Sequence, residues 1–322
     1  MPTYFAAGGV DAYELSPTQP RAAGDAAVEI GTSAAAYADA VLIDPATGAG
    51  ASLKRLWTHV ALAPAYGTYD RGRFPITWMT AAGADAVQAE GNANRGMTFR
   101  FRGPDGAWRT AGDFPALNSG ALDALIVVDG SEGRIALFWN GGLLLDLKGI
   151  DTSGIGNVGR LRFRGASGYD GQTIRDVIAA SYGTIGHTVR VRRPTAAGAA
   201  ADWSGDVAAI GKAALDDTTT IGATDVGQMA TYTGPALSAT PAGNIVKAVA
   251  IGARLRNDDG DAPQNVRALL RVDGKLYRGG YAARIGPGFA GSLTIFDGDP
   301  VTGGAWRAID HANGEFGFEA LA

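Results

Sequence analysis

Between Met97 and Arg102 the chain reads Met-Thr-Phe-Arg-Phe-Arg, with apolar and polar side chains alternating at a period of two. Successive side chains of a strand point to opposite faces, so this spacing predicts Phe99 and Phe101 on a buried face and Arg100 and Arg102 on a wet one. Leu56 to Leu62 and Ile76 to Met79 keep part of the same period. Arg160 to Arg164 repeats it, setting Leu161 and Phe163 against three arginines. Ile174 to Ala180 and His187 to Arg192 add two further predicted strands.

The densest β signal lies between Asp123 and Leu147. Apolar runs at Leu125–Val128, Ile135–Trp139 and Leu143–Leu147 are separated by the turn cluster Asp129–Gly133 and by Asn140-Gly141. Asn-Gly is the strongest short hairpin signal, because both central residues of a type I′ turn need positive φ. A meander of three strands is therefore expected. Gly103-Pro104-Asp105-Gly106 is a further turn, after which Trp108 opens another strand. Residues 1–15 begin with a short aromatic strand broken at Gly8-Gly9, and the Ala-rich residues 33–43 predict a helical turn or two, stopped by Asp44-Pro45.

Pro194 to Ala201 is rich in small residues and reads as a connector. Beyond it, Val207 to Leu215 predicts a short helix weakened by Gly211. Strand patterns then return at Thr218–Ile221, Gln228–Tyr232, Ile245–Leu255, Val266–Val272, Lys275–Tyr281 and Leu293–Phe296, with Asn257–Asp261 and Asp273-Gly274 as turns. Turn signals every 8–12 residues are those of antiparallel sandwiches. The expectation is an all-β protein of two antiparallel β-sandwich (jelly-roll) domains, residues 1–193 and 194–322.

Composition narrows the function classes. The chain has 322 residues, 46% of them hydrophobic, and 48 glycines scattered between apolar runs, which suits a folded chain with many tight turns. Its net charge of −4 provides no general field for nucleic acid, and arginine on the wet face of a strand explains the basic runs Phe99–Arg102, Arg160–Arg164 and Arg190–Arg193 better than a phosphate-binding stripe does. Without cysteine there are no disulfides, thiol nucleophiles or Cys-zinc sites. The three histidines, His59, His187 and His311, each stand alone, so no metal set is expected. No basic, apolar leader opens the sequence and no run reaches the ~18 apolar residues of a membrane span, so membrane insertion is not expected.

The remaining motifs hold the candidate chemistry. Gly154-Ile-Gly156-Asn-Val-Gly159 matches GxGxxG, but a dinucleotide site needs a helix next, and an Arg160–Arg164 strand follows. No nucleophile elbow, P-loop or strand of paired carboxylates is found, so no catalytic residue and no cofactor is assigned. Asn257, Asp258, Asp259 and Asp261 could offer oxygens to calcium, yet they lack the EF-hand's closing Glu and are equally the residues a hairpin turn prefers. Each of the tryptophans, Trp57, Trp78, Trp108, Trp139, Trp203 and Trp306, reads first as a core residue. Tyr66, Tyr69, Arg71 and Arg73 share a Gly-marked loop, the kind of segment that displays binding side chains. Together with Trp108 they form the candidate carbohydrate-binding set, since flat rings stack on sugar faces.

The meander with Trp139-Asn140-Gly141, the strand Leu56-Trp57-Thr58-His59 and the later Ile174–Ala180 resemble, in residues and order, laminin-G/concanavalin-like jelly rolls. Asp202-Trp203-Ser204-Gly205, Asp216 to Gln228, Ile245 to Arg256, Asp299 to Trp306 and Glu315 to Phe318 resemble C-terminal parts of tail and fibre proteins of tailed phages. This resemblance implies a lectin-like first domain in a tail fibre or head spike of a phage or gene transfer agent. It implies a non-enzymatic virion structural protein, made in the bacterial cytoplasm and displayed on the particle surface. The implied partners are host cell-surface or capsule polysaccharide, other virion proteins and further copies of the chain, as in a homotrimer. The alternatives are a jelly-roll polysaccharide-degrading enzyme and a purely architectural tail or capsid component.

Overall fold

The computed structural model describes the chain apart from residues 8–9, 16–20, 23–26, 31–36, 65–75, 92–95, 115–118, 165–171, 213–215, 237–244, 258–259 and 307–313. The described residues fall into two compact units, Met1–Asp44 with Ala49–Val189, and Pro45–Gly48 with Arg190–Ala322.

The first unit contains β1 (Thr3–Ala7), β2 (Glu14–Leu15), β3 (Arg21–Ala22), β4 (Ala27–Ile30), β5 (Tyr37–Val41), β6 (Arg55–Pro64), β7 (Ile76–Thr80) and β8 (Asp85–Gly91). It continues with β9 (Met97–Arg102), β10 (Trp108–Phe114), β11 (Gly120–Val127), β12 (Gly133–Trp139), β13 (Gly142–Ile150), β14 (Val158–Arg164) and β15 (Gln172–Ala180). An eight-stranded sheet runs in the order β13-β12-β11-β6-β15-β4-β3, with β1 also on β15, and a seven-stranded sheet runs β10-β9-β8-β7-β14-β5-β2. The pairings are antiparallel.

Local chemistry accounts for the expected meander. Asn140 has φ 49° and Gly141 φ 80°, the two positive angles that a type I′ turn demands between β12 and β13. The two sheets then face each other as a sandwich. Leu56, Val60, Leu122, Ile126, Ile135 and Leu137 from one sheet and Ile76, Trp78, Val87, Phe99, Leu161 and Phe163 from the other are buried. Trp78 Nε1 donates to Thr58 Oγ1 at 3.2 Å, joining β7 to β6 across the core. Tyr13 bridges them a second time, its ring 5.1 Å from Phe5 and 6.3 Å from Phe163. Full burial pushes the Tyr13 phenol's pKa well up, so it stays neutral.

The second unit contains β16 (Ala196–Ala201), β17 (Met229–Thr233), β18 (Val249–Leu255), β19 (Asn265–Val272), β20 (Lys275–Arg278), β21 (Ala283–Arg284), β22 (Ala290–Phe296) and β23 (Glu315–Leu321). A six-stranded sheet, β16-β17-β23-β19-β20 with β21 on β19, stands beside the pair β18-β22. Ile251, Phe296 and Trp306 pack with Ala268, Leu270 and Val272 in one apolar cluster. Trp306 Nε1 donates to the Phe296 carbonyl at 2.9 Å, so the indole is buried with its polar atom satisfied. Asp273 and Gly274, at φ 49° and 75°, repeat the type I′ turn between β19 and β20.

Five expected elements differ. Pro194–Ala201 is not only a connector, since Ala196–Ala201 form β16 at the end of the six-stranded sheet, paired with β17. Residues 37–41 are a strand and not a helix: Ala38 and Ala40 face the core at period two, and packing overrides alanine's helix propensity. His187–Arg192 is no strand. Its backbone is tied piecemeal, His187 N–H to the Thr184 carbonyl and Val189 N–H to the Asp176 carboxylate. At Val207–Leu215 the described helix is one 3-10 turn, Val207–Ala209, capped by the Asp206 carboxylate accepting from the Ala208 N–H. Thr218–Ile221 is no strand either, because the Asp216 carboxylate accepts from both the backbone and the hydroxyls of Thr218 and Thr219 and curls the segment.

Candidate functional site

Directly paired residues in a sheet share a face, so register maps the surface of the seven-stranded sheet. Trp78 points to the other sheet, which turns its neighbour Thr77 outward. Reading partners across the strands from Thr77 gives one transverse row, Thr110, Arg100, Gln88, Thr77, Arg162 and Asp39. Every member is polar. The inward residues of the same strands are apolar, and this alternation is what the strand-face reading of the arginines predicted.

The row is cross-linked by charge. Asp39 is fully buried and accepts from Arg160 Nη1, Arg162 Nε and Arg162 Nη2, each at 2.7 Å. That carboxylate raises the Arg162 pKa further, so its charge is permanent. The Arg162 guanidinium also lies 4.3 Å above the Tyr37 ring. Arg100 donates to Gln88 Oε1 at 3.1 and 2.8 Å and to Glu90 Oε2 at 3.0 Å. Arg164 pairs with Asp85 at 3.1 Å, and the Thr98 hydroxyl donates to Asp113. Thr77 Oγ1, at the centre, is buried without a hydrogen-bond partner among the described residues.

At the β9–β10 edge the face becomes aromatic. Trp108 sits opposite Arg102, whose guanidinium carbon lies 4.0 Å from the ring centroid, and that of Arg100 lies 4.8 Å away. Arg102 Nη1 donates to the Gly106 carbonyl at 2.8 Å, and among the described residues no carboxylate lies within ion-pair distance of it. One half-buried indole and one uncompensated cation therefore share a corner, flanked by amide, hydroxyl and guanidinium groups. Such a surface can stack on the apolar face of a sugar and hydrogen-bond to its hydroxyls.

Of the candidate carbohydrate-binding set, Trp108 is thus placed on this face, whereas Tyr66, Tyr69, Arg71 and Arg73 lie outside the described residues, as do His311, Asp258 and Asp259. Trp57 stacks on Phe138 at 5.7 Å, Trp203 on Phe318 at 6.4 Å, and Trp139 is half-buried beside its hairpin. His59 is a buried structural residue: its Nδ1 lies 2.9 Å from Asp123 Oδ1, which also accepts from Thr184 Oγ1 at 2.8 Å. The Asn257 side-chain amide donates to the Asp261 and Pro263 carbonyls and closes its turn. After the GxGxxG stretch comes β14, and a Cβ on Gly154 would stand 1.8 Å from the Gly103 carbonyl oxygen, so that glycine serves close packing. No group of three or more His, Cys, Asp or Glu among the described residues could hold a metal, and no described helix is long and apolar enough to cross a membrane.

No protein-family model matches the chain, and no curated protein matches it in sequence. Among solved structures it is similar to a sialidase at 15% identity and TM-score 0.38, over 53% of this chain and 17% of the sialidase. It is also similar to an endo-beta-1,4-glucuronan lyase from the fungus Trichoderma reesei at 9% identity and TM-score 0.40, over 56% of this chain and 96% of that one. A third is the CBM2 module of the evolved Dit of Lactobacillus casei BL23 phage J-1, at 11% identity and TM-score 0.39, over 55% and 94% of the two chains. At these values the likenesses assign no residue roles.

Proposed function

We propose that the protein is a non-enzymatic surface component of a phage-like particle, a tail fibre or head spike, that adheres to host capsule or cell-surface polysaccharide. The contact surface is the outer face of the seven-stranded sheet. The observation that carries this reading is the Trp108 corner, where an indole and the uncompensated Arg102 cation adjoin the row from Thr110 to Asp39. The indole supplies stacking area, the exposed Thr110 and half-buried Arg100 at its end of the row supply hydrogen-bonding groups, and the spare positive charge favours a glycan bearing acidic groups.

The carboxylates favour binding over bond cleavage. Among the described residues on this face, Asp39 is engaged by Arg160 and Arg162, Asp85 by Arg164, Glu90 by Arg100 and Asp113 by Thr98. A general base acts from a carboxylate held beside the proton it removes, whereas Asp39, Asp85 and Glu90 are each held by an arginine of the same sheet.

The test is titration of the intact chain with purified capsular polysaccharides, acidic and neutral. Binding should weaken roughly tenfold or more in Trp108→Ala, a loss of at least ~1.4 kcal/mol. Absence of binding to every host glycan would leave an architectural role. New reducing ends or unsaturated products would instead support a polysaccharide-degrading enzyme.

A further inference from the structure

The eight-stranded sheet ends on an edge that is unusually apolar for a solvated strand. β13, Gly142–Ile150, closes the strand order, and among the described residues no strand pairs with its outer side. It reads Gly-Leu-Leu-Leu-Asp-Leu-Lys-Gly-Ile. Leu143 is 59% exposed, and Leu144, Leu145 and Leu147 are only half-buried. An edge with free N–H and C=O groups and apolar side chains is a template for another strand.

The charges on this edge select its partner. Asp146 and Lys148 are two residues apart, share a face and pair with each other within the chain at 3.2 Å, and Lys148 is 69% exposed, so a partner strand would exchange this contact for reciprocal ones. A strand that pairs antiparallel with a copy of itself, face preserved, must do so about a two-fold axis through one residue. An axis at Asp146 sets aspartate against aspartate, and an axis at Lys148 sets lysine against lysine. An axis at Leu145 leaves Asp146 opposite Leu144 and Lys148 opposite Gly142. An axis at Leu147 sets Asp146 opposite the partner's Lys148 and Lys148 opposite the partner's Asp146. In that register Leu145 meets the partner's Gly149, and the Leu145 and Leu147 side chains form one continuous row on the core side of the joined sheet. Arg134, on the neighbouring β12, already bonds both Asp146 oxygens at 2.7 and 3.0 Å, which fixes the carboxylate's orientation.

We propose that β13 is a self-association edge, and that two copies of the chain join through it, antiparallel about Leu147, into one continuous sheet. The register is fixed by the reciprocal Asp146–Lys148 pairs. This surface is separate from the Trp108 face, so dimerisation and glycan binding stand or fall independently.

Sedimentation velocity of the full chain reads the state directly. The wild type should show a concentration-dependent dimer that weakens with salt, since the lysine of each ion pair is exposed. Lys148→Glu alone and Asp146→Lys alone should each be monomeric, because each places two like-charged pairs across the axis. Mixing those two variants should restore a dimer, because the mixed register is complementary at both positions. The double variant Asp146→Lys/Lys148→Asp should dimerise with itself, which guards against a simple folding defect. A wild type that stays monomeric at every concentration, a trimer, a single reversal that remains dimeric, or a mixture that fails to reassociate would each overturn the proposal.

Discussion

Substituting Asp39→Asn removes one charge while keeping the side chain's size, and the structure says what that should cost. The carboxylate is fully buried and accepts three guanidinium hydrogen bonds, all at 2.7 Å. Removing one partner of a buried ion pair costs ~3–5 kcal/mol, because the other charge stays desolvated. Here the Arg160 and Arg162 side chains remain 26% and 21% exposed, so both can recover water. The asparagine carbonyl still accepts one or two bonds, and its amide now faces guanidinium groups. The loss should therefore fall to about 2–3 kcal/mol. For a unit of about 185 residues that is a fall in Tm of roughly 4–12 °C, read by calorimetry on the intact chain. Urea titration should give a lower midpoint at unchanged slope. A loss under ~1 kcal/mol would refute the reasoning, since it would mean that the two arginines gain nothing from the carboxylate beneath them.

Two further outcomes follow from other buried or paired groups. Thr184→Val keeps shape but deletes the hydroxyl that donates to Asp123, whose Oδ2 is already buried without a partner; urea unfolding should show a loss of about 1–3 kcal/mol. In the second unit, Arg278 bonded to Glu319 holds that carboxyl below its ordinary value of 4.5. A depressed folded pKa contributes stability above the unfolded value and loses it as pH falls through the folded one. Unfolding of this unit should thus become easier below about pH 4.5, and Glu319→Gln should flatten that acid limb, as followed by urea midpoints against pH.

The strands were legible where one sequence face is apolar and the other charged. Phe99, Phe101, Leu161 and Phe163 announced their burial by spacing alone, and Asn140-Gly141 and Asp273-Gly274 announced their turns by the angles they permit. Alanine hid β5: Ala38 and Ala40 bury small side chains at period two, but locally the same residues favour helix, and only the flanking strands decide. The site was less legible for a related reason. Arg100 and Arg162 were visible as wet-face residues, yet their alignment with Gln88, Thr77 and Asp39 depends on register between strands far apart in sequence. Asp39 lies 123 residues before Arg162. No local pattern encodes that distance. The Asp146–Lys148 spacing, by contrast, stood in the sequence, and acquired meaning only once β13 proved to be an edge.

The strand order also sets a schedule for making the protein. β6 to β13 can zip largely from neighbours, as hairpins and short returns, while the chain is still being synthesised. But β6 finds its second flank only in β15, β7 finds its second flank only in β14, and β1 and β5 wait for those same two late strands. Until residue 158 and beyond have left the ribosome, both sheets are open through the middle, and the early pairs β2–β5 and β3–β4 have no sheet to join. The final step is then an insertion of two strands that closes both layers at once, with the long loop closures that make such folding slow. A chain cut short before Val158 would keep its hairpins, lose its sandwich, and expose two interior edges to the nearest available strand.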